Sequence, residues 1–106
     1  METWHPRARR YALTANIELT DVQTETRIVA RTTNLGLYGC RVASQKPLPT
    51  GTKVRIKIAH GGASFMALGK VVYSKTSGGM GIVFTGVEKT DQSVLDKWIA
   101  DLRDRN

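Results

Sequence analysis

Lys53-Val54-Arg55-Ile56-Lys57-Ile58 is the stretch on which the fold turns. Cations and β-branched residues alternate through it without a fault. A period of two puts successive side chains on opposite faces of a strand, so this segment reads as a half-buried strand with its lysines and arginine in water. Working outward, His60-Gly61-Gly62 is a turn, and Phe65 to Tyr73 is a long strand. Ser77-Gly78-Gly79 marks a hairpin turn, and Met80 to Thr85 is a last strand. Towards the N-terminus, Pro47, Pro49 and Gly51 mark a loop, preceded by a short strand over Cys40–Ala43. Thr26–Thr33 forms another strand, set off from its predecessor by the polar turn Asp21–Thr24. The first strand is Tyr11–Leu19, with Tyr11, Leu13, Ala15, Ile17 and Leu19 on one face.

After Glu88 the period changes. Val94, Leu95, Trp98, Ile99 and Leu102 recur at helical spacing, which predicts an amphipathic helix over about 91–104 with Thr90 or Asp91 as N-cap. Six short strands followed by one helix predict a mainly β fold, a six-stranded antiparallel barrel with a C-terminal α-helix covering an open end. Closure of such a sheet removes its edges. The 106 residues suit one domain, expected over 11–106, which at this length buries about 60–70% of its unfolded surface. Residues 1–10 hold Pro6 and three arginines, and are expected to be a flexible arm ahead of it.

Charge is distributed unevenly. The chain carries 16 Lys and Arg against 9 Asp and Glu, a formal +7. No acid lies between Thr26 and Val87, a stretch holding nine cations, and Arg7, Arg9 and Arg10 crowd the first ten positions. Unpaired cations sum their fields and favour an anionic partner. The row Lys53, Arg55, Lys57 is the exception: it is expected to guard an exposed strand against edge pairing.

The chemistry needed for catalysis is sparse. His5 and His60 have no carboxylate or cysteine at ligand spacing, so no metal site is expected. Cys40 has no histidine placed to activate it and reads as a small buried hydrophobe. The carboxylates Asp91, Asp96, Asp101 and Asp104 read as a solvated helix face. Neither a P-loop nor a dinucleotide fingerprint is present. No enzyme and no cofactor are expected. A single cysteine, no apolar run near the roughly 20 residues that cross a bilayer, and no apolar segment behind the N-terminal arginines suggest a cytoplasmic protein without membrane insertion.

Two features carry binding chemistry. Guanidinium forks onto phosphate or onto the O6/N7 edge of guanine, which makes Arg7, Arg9 and Arg10 candidates for an anionic partner, whether nucleotide, nucleic acid or acidic protein. Asn34-x-Gly36-x-x-Gly39 lies between two strands. Its Asn offers both donor and acceptor to a base edge, and its glycines permit close backbone approach.

Together these residues resemble a PilZ domain, a bacterial module known as a receptor for cyclic di-GMP. The resemblance takes in Arg10-Tyr11-Ala12-Leu13, the Asn34–Gly39 segment, Leu48-Pro49-Thr50-Gly51, Leu68-Gly69-Lys70-Val71-Val72-Tyr73, Gly79-Met80-Gly81-Ile82-Val83-Phe84 and the helix around Trp98. It implies a six-stranded barrel and a ligand held between an RxxxR arm and a (D/N)xSxxG segment. Asn34 and Gly39 match that second motif, with Gly36 at its serine position. Arg10 fits the second arginine, while Pro6 stands four residues before it, with Arg7 and Arg9 near enough to substitute.

The expectation is therefore a second-messenger signalling receptor binding cyclic di-GMP through Arg7, Arg9, Arg10, Asn34, Gly36 and Gly39, and passing the signal to a protein partner not yet identified. Pro6 and Gly36 leave an alternative open, a PilZ-type interaction module that has lost the nucleotide. A third reading, a barrel for single-stranded nucleic acid, has only Trp4 and Tyr38 as stacking candidates and is disfavoured.

Overall fold

The computed structural model describes residues 9–105. Its elements are β1 (Arg10–Ala12), β2 (Asn16–Asp21), β3 (Arg27–Gly36), β4 (Gly39–Ala43), β5 (Lys53–His60), β6 (Ala63–Ser74), β7 (Gly79–Gly86) and α1 (Lys89–Asp104). All pairings are antiparallel, in the order β1-β3-β2-β5-β6-β7-β4, and a further β3–β4 pairing closes the sheet on itself. The closed ring is thus β3, β2, β5, β6, β7 and β4. It is the expected six-stranded barrel, with β1 appended to the far half of β3.

The periodicity that identified the strands also fills the barrel. Val54, Ile56 and Ile58 face inward, while Lys53, Arg55 and Lys57 face water. From the other strands come Ile17, Leu19, Leu35, Val42, Phe65, Val71 and Ile82, all essentially inaccessible. Helix α1 lays Leu95, Trp98, Ile99 and Leu102 against this interior. Phe65 and Trp98 lie 6.3 Å apart and tilted, a favourable aromatic arrangement. Each such side chain removed from water contributes about 1.5–3 kcal/mol before ordering costs. Phe84 is half-buried, packing against this interior 5.1 Å from Phe65.

Three expectations need correction. The single strand Tyr11–Leu19 is two strands, β1 and β2, even though all five of its apolar residues are buried. Between the pairs Ala12↔Asn34 and Asn16↔Arg31 the first side advances four residues and β3 only three. The buried Thr32 side chain fills this break: its Oγ1 donates to the Leu13 carbonyl (2.6 Å) and accepts from the Ala15 N–H (2.9 Å). The break keeps the period of two, so hydrophobic patterning does not reveal it.

The helix starts at Lys89, after Glu88, rather than at Thr90 or Asp91. Asp91 lies in the first turn, where its carboxylate suits the helix dipole, and its Oδ1 accepts from the Met66 backbone N–H at 2.9 Å. It ties the helix to β6 instead of capping it.

Finally, Lys53, Arg55 and Lys57 guard no edge. β5 is hydrogen-bonded to β2 on one side and β6 on the other.

Candidate functional site

β3 turns out to run on through Asn34 to Gly36, so the segment expected to break the chain is mostly strand, with Leu37 and Tyr38 as its turn. What it does break is the alternation. Ile28, Ala30 and Thr32 point inward, and then Leu35 does, three residues on. Opposite β4, the pairs Thr32↔Val42 and Asn34↔Arg41 leave Thr33 without a counterpart. This β-bulge resets the phase of the strand, and bulges of this kind re-aim side chains beside functional sites. Its effect here is to leave Asn34 half-exposed, at the point where β1, β3 and β4 meet.

Arg10, the last residue of the expected arm, is the first of β1 and pairs with Gly36. Its Nη1 donates to the Asn34 Oδ1 at 3.1 Å. Two candidate residues 24 positions apart are thereby brought together. Arg9 is exposed, and its guanidinium lies 5.4 Å from the centre of the Tyr11 ring, within cation–π range. Arg7 and Pro6 lie outside the described residues.

The two glycines have different reasons to be glycine. A Cβ on Gly36 would stand 3.1 Å from the Arg9 carbonyl oxygen and 3.4 Å from the Arg10 Cγ. The incoming arm therefore lies directly on Gly36. A Cβ on Gly39 would collide with the Ile82 carbonyl on β7. Gly39 is needed for β4 to approach β7, which is a packing role. Under the same wall lies Cys40, fully buried, where burial pushes its thiol up to about 12 against a small opposing pull from Arg10. At that value it is no nucleophile at neutral pH.

Beyond Asn34 an open groove of about 910 Å³ runs between β4 and the β6–β7 hairpin. Arg41 and Lys75 line it, with Thr33, Ser44 and Ser77. Sequence reasoning counted Arg41 and Lys75 only as part of a basic stretch; the strand pairing Asn34↔Arg41 is what places a second guanidinium beside the motif. Volumes of about 300–1,000 Å³ are typical of small-ligand sites. His60, at the end of β5, meets Trp98 of α1 edge-on with ring centres 5.5 Å apart, a packing contact between strand and helix. Among the described residues, no three metal-ligating side chains come together, and no helix is long and apolar enough to cross a membrane.

A family profile for the PilZ domain matches residues 5–101. The chain belongs to the PilZ domain family. Solved structures agree with that at the level of the fold. The PilZ domain of CeSA from a cellulose-synthesizing bacterium superposes with a TM-score of 0.74 at 16% identity, over 91% of this chain and 99% of that one. The PilZ domain of YcgR from Escherichia coli, solved with c-di-GMP, gives 0.74 at 16% identity over 96% and 94% of the two chains. The Bacillus subtilis inhibitor of motility, MotI/DgrA, gives 0.75 at 14% identity; 98% of this PilZ chain is covered, but only 54% of the Bacillus protein. No curated protein sequence matches this chain.

Proposed function

We propose that this PilZ domain is a non-enzymatic receptor for cyclic di-GMP, and that the nucleotide sits between the N-terminal arginines and the bulged end of β3. The observation that carries the reading is the Arg10–Asn34 hydrogen bond beside a groove lined by Arg41 and Lys75. Guanine presents two acceptors, O6 and N7, on one edge and N–H donors on the next. Arg10 and Arg9 supply forked donors for the first edge or for phosphate. Asn34 supplies an acceptor for the second, and its Oδ1 has a lone pair left after Arg10 is bonded. Arg41 and Lys75 are placed for the second phosphate. The c-di-GMP in the YcgR PilZ structure is consistent with this ligand class.

Signal output follows from position. A ligand that draws Arg10 away from, or tighter onto, Asn34 acts on β1, whose three residues pair with β3 alone. The change in the arm then alters what a protein partner meets.

Calorimetric titration tests the reading. Micromolar binding of cyclic di-GMP is expected, with Arg10→Ala and Asn34→Ala each weakening it about 10- to 150-fold, the equivalent of one charge-assisted hydrogen bond. Absence of heat at several hundred micromolar protein, or variants that titrate like the parent, overturns it. One observation favours the alternative of an interaction module without nucleotide: the family's serine position is Gly36, and the Arg9 carbonyl already lies close above it. Under that reading partner binding is indifferent to nucleotide and to Arg10→Ala.

A further inference from the structure

The wall centred on β5 carries a surface that the nucleotide reading leaves unexplained. Around the ring, β5 is three strands from β4 in either direction. Register places Val29, Glu18, Lys57 and Met66 side by side across β3, β2, β5 and β6, and Arg27, Thr20, Arg55 and Leu68 in the next row. Three apolar side chains stand in water among these charges: Val29 is 70% exposed, Met66 55% and Leu68 52%. Met66 and Leu68 floor a groove of about 490 Å³, bounded by Arg55 on one side and by Glu88 and Asp91 at the start of α1 on the other.

The cations of this wall are not fully explained by its own acids. Glu18 pairs with Arg27 (3.4 Å) and Glu25 with Arg55 (2.6 Å). Lys53 and Lys57 carry no ion pair among the described residues. Edge protection does not account for them, since β5 has no edge. An exposed apolar floor beside a row of unneutralised lysines is a surface with an unmet partner.

We propose that this groove docks an amphipathic helical segment of a partner protein, with apolar side chains on Met66 and Leu68 and carboxylates towards Lys53 and Lys57. Glu88 and Asp91 on the opposite rim repel a continuous polyanion, and the described residues of the wall offer no aromatic ring for a base to stack on, which disfavours nucleic acid. The apolar residues floor a recess, which suits an inserted side chain better than a lipid surface. A second copy of the chain is also a poor occupant. Its acidic helix has already buried its apolar face, Leu95, Trp98, Ile99 and Leu102, in its own barrel.

The test uses the whole chain and a fluorescein-labelled helical peptide with leucines on one face and glutamates along its flank. Its scrambled isomer, an oligo-dT strand and phosphatidylglycerol vesicles serve as competing occupants. Saturable anisotropy is expected for the amphipathic peptide, weakened about five-fold or more by Lys57→Glu and by Met66→Ser. Both side chains are exposed, and unchanged thermal melts verify that the variants fold. Cyclic di-GMP titrations of the same two variants stay at the parent value, so failure here is distinguishable from failure of the receptor reading. The proposal is overturned by equal binding of the scrambled isomer, by tighter binding of oligo-dT or vesicles, by self-association of the chain in sedimentation, by variants without effect, or by no saturable binding at all.

Discussion

On β2 and β5, every second residue faces the core from end to end, whereas on β3 that alternation slips between Thr32 and Leu35. The regular wall places its cations outward by period alone. The irregular one needs a buried threonine to bridge Leu13 and Ala15, a glycine to admit the arm and another to admit β7. A barrel wall that only encloses a core can be built from pattern. A wall that presents an asparagine and receives an arginine from a strand distant in sequence departs from pattern at each candidate position, and it is held there by contacts specific to those residues.

Experiments that break or sharpen this contrast can be ranked by size. The largest effect concerns Cys40. With its thiol near 12 against an ordinary 9.0, alkylation of the folded chain at pH 8 should run about a thousand-fold slower than in denaturant. The same shift sets a pH dependence of stability. The folded state favours the neutral thiol, so its contribution is complete below pH 9 and is lost as pH rises from 9 towards 12. Cys40→Ala should flatten that limb of the profile, and fast labelling in native buffer would contradict the burial.

Next is Gly39→Ala, where the new methyl meets the Ile82 carbonyl. A loss of about 3 kcal/mol in urea denaturation is expected, at the upper end of overpacking costs. Thr32→Val comes third. It keeps the shape but strands the Leu13 carbonyl and the Ala15 N–H, which should cost about 2 kcal/mol. On the regular wall, Lys57→Thr on β5 should stay within about 0.5 kcal/mol, as for a surface change. Equal effects from these two would erase the distinction between the walls. Gly36→Ser falls between these two. Its Cβ presses on the Arg9 carbonyl and should cost about 1 kcal/mol as the arm shifts. Under the receptor reading, the added hydroxyl tightens nucleotide binding if the arm keeps Arg10 on Asn34.

Most of the fold was legible in the sequence because period two and period 3.6 are consequences of burying one face, and a closed barrel buries one face of every strand. The alternation of 53–58 and the helical spacing of Val94 to Leu102 both survived into the structure. What was not legible depends on register. Nothing in Tyr11–Leu19 marks the break at Thr14, because the extra residue is compensated by a side chain on another strand. The start of the helix was misplaced because Asp91 bonds to β6, a tertiary choice that a local capping preference does not anticipate. At the candidate site, residue types pointed to Arg10 and Asn34, but their contact and the position of Arg41 beside them follow from strand pairing. The outward position of the β5 lysines follows from period alone, but their role does not, because closure of the barrel leaves no edge to guard.

The hoop of six strands has two neighbours for every member, while β1 is fastened along one seam of three residues. Freeing any one strand of the hoop means parting two seams at once, so amides in β5 and β6 should exchange with solvent only through global unfolding. Those of β1 can be released by undoing its own short seam. Release of this first strand therefore parts fewer backbone pairings than release of any other, but it also draws Tyr11 out of the core.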